Sequence, residues 1–191
     1  KGRCWRYSED KVKELIDDDR MWFGKDGNGV PRTKRFLSEA KAGIVPQSLL
    51  FYKEVGSGQD GTKDLKSLFD NMQIFDYPKP VKLIKHFLRV STENSDITLD
   101  FFSGSGTSAQ AVMELNIDDN RNRKHIQIQL PEPLDKKNEA YKIGYKTVSD
   151  IGKERIRKVA NKIKKEYPDQ SKDMDLGFKV FKLDSSNIKA W

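Results

Sequence analysis

Between Asp100 and Thr107 the chain reads Asp-Phe-Phe-Ser-Gly-Ser-Gly-Thr, a stretch whose chemistry would be done by backbone more than by side chains. Gly104 and Gly106 sit where a strand turns sharply into a helix. They let a ligand approach the main chain closely, and they leave N–H groups free at a helix N-terminus. A Walker-type phosphate loop requires a Lys followed by Ser or Thr after its last glycine, and Thr107-Ser108 offers no Lys, which excludes that ligand. Gly104-Ser105-Gly106-Thr107-Ser108-Ala109 does satisfy the relaxed G-x-G-x-x-G/A dinucleotide pattern, so a nicotinamide or flavin site stays open, as does a glycine turn with no ligand. A valine at Gly104 or Gly106 is expected to fill the ligand's space, abolishing binding while leaving the fold largely intact.

The elements that would position this turn are legible on both sides. Ile97, Leu99 and Phe101 alternate with Thr98 and Asp100 as a short buried strand, and Ala109, Ala111, Val112 and Leu115 continue as a helix. Ile126, Ile128 and Leu130, with His125, Gln127 and Gln129 between them, predict a second strand, and Phe178, Val180, Phe181 and Leu183 within residues 175–184 a third. Between those two strands a basic helix is expected from Thr147 to about Tyr167. Ile156, Val159, Ala160, Ile163 and Tyr167 would form its stripe, with Lys153, Arg155, Arg157, Lys158, Lys162, Lys164 and Lys165 as a solvated face. Strand, helix, strand, helix, strand is the pattern of a parallel sheet with helices on its faces.

The turn resembles the S-adenosylmethionine loop of amino-methylating DNA methyltransferases, in which an acidic residue, an aromatic and Gly-x-Gly-Thr occur together, here Asp100, Phe102, Gly104, Gly106 and Thr107. Tyr77-Pro78-Lys79-Pro80-Val81-Lys82-Leu83-Ile84 is similar to the Lys-Pro-x-x-Leu-Ile segment that, in the beta-class members, lies shortly before the loop and folds against the methionine end of the cofactor. Trp5-Arg6-Tyr7-Ser8, Trp22-Phe23 and Lys34-Arg35-Phe36-Leu37, with the Gly43 to Leu49 stretch, resemble the segment that precedes it in type III restriction-modification methyltransferases. The resemblance runs from Trp5 to Trp191 and is to the C-terminal part of the modification subunit.

What the resemblance implies is an α/β fold: a Rossmann-like half-domain of an S-adenosylmethionine-dependent methyltransferase, a parallel sheet with flanking helices, after an irregular hairpin and helix lead-in. Its cofactor would be S-adenosyl-L-methionine, bound by Lys79, Pro80, Asp100, Phe101, Phe102, Ser103, Gly104, Ser105, Gly106 and Thr107. An acidic residue usually ends the second strand in the family and binds the ribose. Gln129 stands there in this chain, and Glu132 is the expected replacement because a carboxylate accepts more strongly than an amide. The implied reaction moves a methyl group to N6 of a flipped adenine in double-stranded DNA. The implied partners are a restriction (helicase/nuclease) subunit and a second modification subunit. The family's catalytic motif carries two adjacent prolines. None of the 7 prolines here adjoins another, so no catalytic residue is assigned and the chain alone is expected to be inactive. Beginning at Lys1-Gly2 without a Met, the chain is expected to be a fragment of a longer protein.

Composition adds limits. The 191 residues suffice for one domain with a real core, divided here into a lead-in over 1–70 and a cofactor-binding part over 71–191. Lys and Arg outnumber Asp and Glu by 36 to 29, a net charge of +7 that suits a polyanionic partner but is common elsewhere. With the one cysteine, Cys4, no internal disulfide forms, and with only His86 and His125 beside it no metal site is expected. No apolar run approaches the roughly 20 residues of a membrane span, so a soluble, cytoplasmic bacterial protein is expected. Two other classes stay open: a dinucleotide-dependent oxidoreductase, which needs an acidic residue about 20 positions after the glycines, and a non-catalytic DNA-binding module built on the basic helix.

The remaining stretches yield further expectations. Ser8 caps a helix carrying Val12, Leu15 and Ile16, and Asp26-Gly27-Asn28-Gly29 folds a strand at Met21 to Phe23 back onto Val30 to Leu37. Arg32, Lys34 and Arg35 on the return limb are either phosphate contacts or a solvated face. Gly56 to Gly61 reads as a mobile loop, with Thr62 capping a short helix after it. A helix from Pro80 presents Val81, Ile84, Phe87 and Leu88 to the sheet beside the glycine turn. The strand Ile97 to Phe101 is left at an edge that could stick or pair with another copy.

Overall fold

The computed structural model of the chain describes residues 7–39, 43 and 45–183; Cys4, Trp5, Arg6, Asp184 and Trp191 lie outside them. The chain forms two compact units, Lys1–Pro46 and Gln47–Trp191.

In the first unit Ser8 accepts the Lys11 N–H at 3.4 Å and starts α1 (Glu9–Asp17), which buries Leu15. The expected hairpin follows: β1 (Met21–Trp22) pairs antiparallel with β2 (Arg32–Thr33), Met21 opposite Thr33. Arg20 secures its base, forking onto Glu39, pairing with Asp18 and lying 4.7 Å from the centre of the Phe36 ring. Lys34 is engaged with Asp19 at 2.6 Å, and Arg32 lies over Trp22.

The second unit begins with α2 (Tyr52–Val55) and α3 (Gly58–Leu68), so the glycine-rich stretch read as a loop is largely helix. The cap is Ser57, whose N–H reaches Asp60 Oδ2 at 2.7 Å in a reciprocal box. Thr62 lies inside the helix and donates its hydroxyl to the Gly58 carbonyl. A mid-helix glycine costs about 1 kcal/mol, and Gly61 offsets it by close packing: a Cβ there would stand 2.2 Å from the Pro78 carbonyl oxygen.

Pro80 is the N-cap of α4 (Val81–Ser91), whose apolar face lies on a helix and not, as expected, on the sheet. Val81, Ile84 and Leu88 pack with Ala111, Val112 and Leu115 of α5 (Thr107–Asp119). The other flank of α5, Ala109, Met113 and Ile117, packs against Ile156, Val159, Ala160 and Ile163 of a long helix over Val148–Glu166. Flanked on both sides, α5 buries even Ser108, Gln110 and Asn116.

β3 (Ile97–Asp100) enters α5 and β4 (Lys124–Gln127) leaves it; the two pair in parallel, Leu99 opposite Ile126. Their half-buried polar face, Thr98, Asp100, His125 and Gln127, turns toward α5. The strand expected to be buried therefore exposes its apolar side: Leu99 is 45% and Ile126 49% accessible. Parallel sheets ordinarily carry helices on both faces, and among the described residues only one face is covered. The expected third strand is also absent over the described residues 175–183, which run without a ladder partner. Leu176 and Phe178 instead pack into the cluster between α5 and the long helix. The chain is thus a mixed α/β protein with a small parallel sheet. Next come α6 (Glu139–Lys142) and α7, the Val148–Glu166 helix. No described helix is long and apolar enough to cross a membrane.

Candidate functional site

The turn between β3 and α5 is held from three directions. From within, Asp100 closes it: Oδ1 accepts the Phe102 N–H at 3.0 Å, and Oδ2 accepts the Ser108 hydroxyl across the turn. From the strand side, Ser103 donates its hydroxyl to Gln127 Oε1 at 2.8 Å and Gly104 donates its N–H to Gln129 Oε1 at 2.7 Å. The Gln129 amide, one of the two expected ribose contacts, is therefore engaged in shaping the turn. Glu132 is exposed, and its carbonyl accepts the Val148 N–H at 2.9 Å beside the Pro133–Thr147 bridge.

The third direction is α7, and here the structure differs from the sequence reading. Gly104 and Gly106 have φ of 53° and 80°, in the left-handed region that favours glycine. A Cβ on Gly106 would stand 3.2 Å from the Gly152 carbonyl oxygen, and one on Gly152 would stand 3.2 Å from the Gly104 carbonyl oxygen. The turn and the first residues of α7 meet backbone to backbone, so Gly106 makes room for a helix as well as for any ligand. Valine at Gly106 would therefore strain the turn against α7, contrary to the expectation that it spares the fold.

Three residues after Gly152 comes Arg155, assigned from sequence to the solvated face and found fully buried. Its Nη1 donates to Ser105 Oγ at 2.9 Å and to Thr107 Oγ1 at 2.8 Å, and its Nε to Gln110 Oε1 at 2.6 Å. Nη2 is buried without a partner among the described residues. Burial pulls the guanidinium down from its ordinary range to about 10, which leaves it charged at neutral pH. The spacing held a signal that the count of basic residues obscured: Ile151, Arg155, Val159 and Ile163 recur every fourth position along one stripe.

On the open side, Phe102 is 91% exposed and Phe101 is also exposed, while the side chains of Ser105 and Thr107 point inward to Arg155. Gly106 caps α5 with no side-chain hydrogen bond, so the first N–H groups of that helix face the turn uncapped. Upstream of the Lys79-Pro80 segment, Phe75 reaches the turn. Pro78 and Pro80 are buried against α3, with the Gly56 and Gly61 backbones directly behind Pro80 and Pro78, and the Phe75 ring packs 3.4 Å from the Cβ position of Gly104. Contact with the turn is made by Phe75, while the Lys79 side chain is exposed.

The start of α7 is fixed by its own cap. Thr147 and Asp150 form a reciprocal box, and the hydrogen bond from Lys153, with those from Thr147, holds the Asp150 carboxyl down to about 2. On β4, burial lowers the His125 pKa below its ordinary value. Of the basic residues on α7, Lys153 pairs with Asp150, Arg157 pairs with Glu154 and lies over Phe178, and Lys158 lies over Phe69.

Residues 4–147 match the DNA methylase family. The chain is 35% identical over 181 residues to the type III restriction-modification enzyme StyLTI Mod subunit of Salmonella typhimurium, covering 95% of this chain and 27% of that protein. It is 32% identical to the EcoP15I Mod subunit of Escherichia coli, over 94% of the chain and 26% of that protein. To the type II methyltransferase M.KpnI of Klebsiella pneumoniae it is 29% identical, over 83% of the chain and 36% of that protein. The chain therefore spans about a quarter of the length of the type III relatives it matches.

Proposed function

The chain belongs to the DNA methylase family, and from that membership we propose that it supplies the S-adenosylmethionine-binding part of an adenine-N6 DNA methyltransferase of a type III restriction-modification system. The reading extends to a Rossmann-like arrangement for residues 71–191, a cytoplasmic bacterial setting, and double-stranded DNA, a restriction subunit and a second modification subunit as partners. The observation that carries it is convergence. At the glycine turn, left-handed Gly104 and Gly106, the uncapped start of α5, the hydrogen-bonded Asp100 and the exposed Phe102 meet in one place, with Phe75 packed behind Gly104.

The residues at the turn fit the cofactor. Uncapped N–H groups at the start of α5 and a buried cation behind them suit a carboxylate. The exposed Phe102 offers a ring face, and the exposed Glu132 offers an acceptor for ribose hydroxyls. When bound, the cofactor supplies an electrophilic methyl group on its sulfonium. Asp100 and Gln129 hold the turn in shape, and Phe75 closes one side of it. Positioning the accepting amine falls to residues that this chain does not contain. Since such proximity is worth roughly 7 to 11 kcal/mol of barrier, the chain by itself transfers no methyl group.

Calorimetric titration of the chain with S-adenosylmethionine, S-adenosylhomocysteine and a nicotinamide dinucleotide tests the reading. Tighter binding of an adenosyl ligand is expected; tighter binding of the dinucleotide overturns it. Labelled-methyl transfer to mixed-sequence DNA is expected from the full-length parent and not from the isolated chain.

A further inference from the structure

Arg155 stands out because no carboxylate touches it. Among the described residues it forms no ion pair, and its direct partners are two hydroxyls and an amide. A counter-charge stands one residue removed: Gln110 receives Arg155 on its Oε1 and donates its Nε2 to Glu114 at 2.8 Å, and Glu114 is also 3.6 Å from Lys85. Asp64 acts on the guanidinium only at a distance. Burying an arginine among neutral groups is expensive, and a chain that needed only packing here would place an aliphatic residue on the Ile151, Val159, Ile163 stripe. Both contacts to the turn come from one nitrogen, Nη1, onto Ser105 and Thr107, the residues that flank Gly106. The charge thus lies directly beneath the uncapped start of α5, where it adds to the positive end of the helix.

We infer that Arg155 is a positioning residue whose buried charge, delivered to the glycine turn through Ser105 and Thr107, secures the carboxylate-bearing end of the cofactor. The inference rests on the reading of this turn as an S-adenosylmethionine site. It assigns the selection of the amino-acid half of the ligand to a side chain that never touches solvent. An adenosyl ligand without that half gains nothing from the charge.

Two probes separate the halves: S-adenosylhomocysteine, which keeps the amino-acid carboxylate, and 5′-methylthioadenosine, which lacks it. In the intact protein, Arg155→Met is expected to weaken S-adenosylhomocysteine about tenfold or more while changing methylthioadenosine by less than about threefold. Arg155→Lys, which keeps the charge and gives up the fork, is expected to hold S-adenosylhomocysteine within about threefold of the parent protein. Should Arg155→Met fail to fold, Arg155→Gln, a neutral donor to the same oxygens, takes its place. Equal losses for the two ligands would mean that Arg155 only props the turn, and lysine binding as poorly as the neutral variant would mean that charge is not what matters. Either result, or unchanged affinity in all variants, overturns the inference and leaves the site reading standing. An unaltered protein that takes neither adenosyl ligand overturns the site reading, and the inference with it.

Discussion

The two ends of α5 are each held by a buried arginine, and they are held differently. At the C-terminal end Arg123 forks onto Asp119, with Nη1 and Nη2 at 2.9 and 2.8 Å, while Nε reaches Thr92 and the Asn116 side chain pairs with the Arg123 backbone. At the N-terminal end Arg155 meets only neutral oxygens. A cation matched by a carboxylate has little field left to act on anything else, and its work is to hold α5 against β4 and α4. A cation without such a match keeps its field, and that end of α5 is the open one.

The comparison can be broken at several points. The largest effect is expected at the N-terminal end from Gly106→Val, which forces a branched residue into a φ of 80° with its Cβ 3.2 Å from the Gly152 carbonyl oxygen. A loss of about 2–4 kcal/mol is expected in urea denaturation, together with loss of cofactor binding. A fully stable Gly106→Val would show that α7 does not lock the turn.

At the C-terminal end Asp119→Asn leaves Arg123 buried without its carboxylate. It should cost about 2 kcal/mol, less than a fully buried pair because Asp119 is partly exposed. Affinity for S-adenosylhomocysteine should stay within about twofold. If that affinity instead falls as far as in Arg155→Met, the two ends are equivalent and the distinction drawn between them fails.

A smaller effect is expected where α7 begins. Thr147→Ala removes half of the capping box and should cost about 1 kcal/mol by thermal denaturation. The other half is pH-dependent. The Asp150 carboxyl is lowered from 3.8 to about 2, so its contribution is complete above pH 3.8 and is lost as the pH falls toward 2. Asp150→Asn should flatten that part of the stability profile. The smallest effect concerns His125, whose pKa burial lowers from 6.5, so the fold favours its neutral form. Stability should decline as the pH falls below about 6.5, and His125→Gln should remove that slope; an unchanged slope would place the titrating group elsewhere.

How much of this was legible beforehand depended on whether a feature is set by local chemistry or by packing between distant elements. The glycine turn, the Ser8 cap and the hairpin at Asp26 to Gly29 were readable because each is decided within a few residues. The family resemblance read from the two motifs is borne out by the match over residues 4–147. The stretch from Gly56 to Gly61 reads as a loop on glycine content alone, whereas the Ser57–Asp60 box starts a helix there and Gly61 packs on the backbone of Pro78 and Lys79. Phe178 alternates like a strand residue yet packs on helices, a choice that residues 175–183 do not encode alone. Arg155 was hidden among lysines, because a charge at an apolar position is explained only by what stands opposite it, here residues 45 to 50 positions earlier.

Arginine has no lone pair to offer, so the two hydroxyls that meet Arg155 must accept from it. Ser105 and Thr107 each keep one hydrogen, and neither has both lone pairs to spare. Arg155 thus fixes one acceptor role of each hydroxyl from behind, before any ligand arrives. With those side chains turned inward, what the start of α5 offers outward is its uncapped N–H groups, which can only donate. A ligand group that can only donate finds few partners there, whereas one rich in lone pairs finds them already aligned.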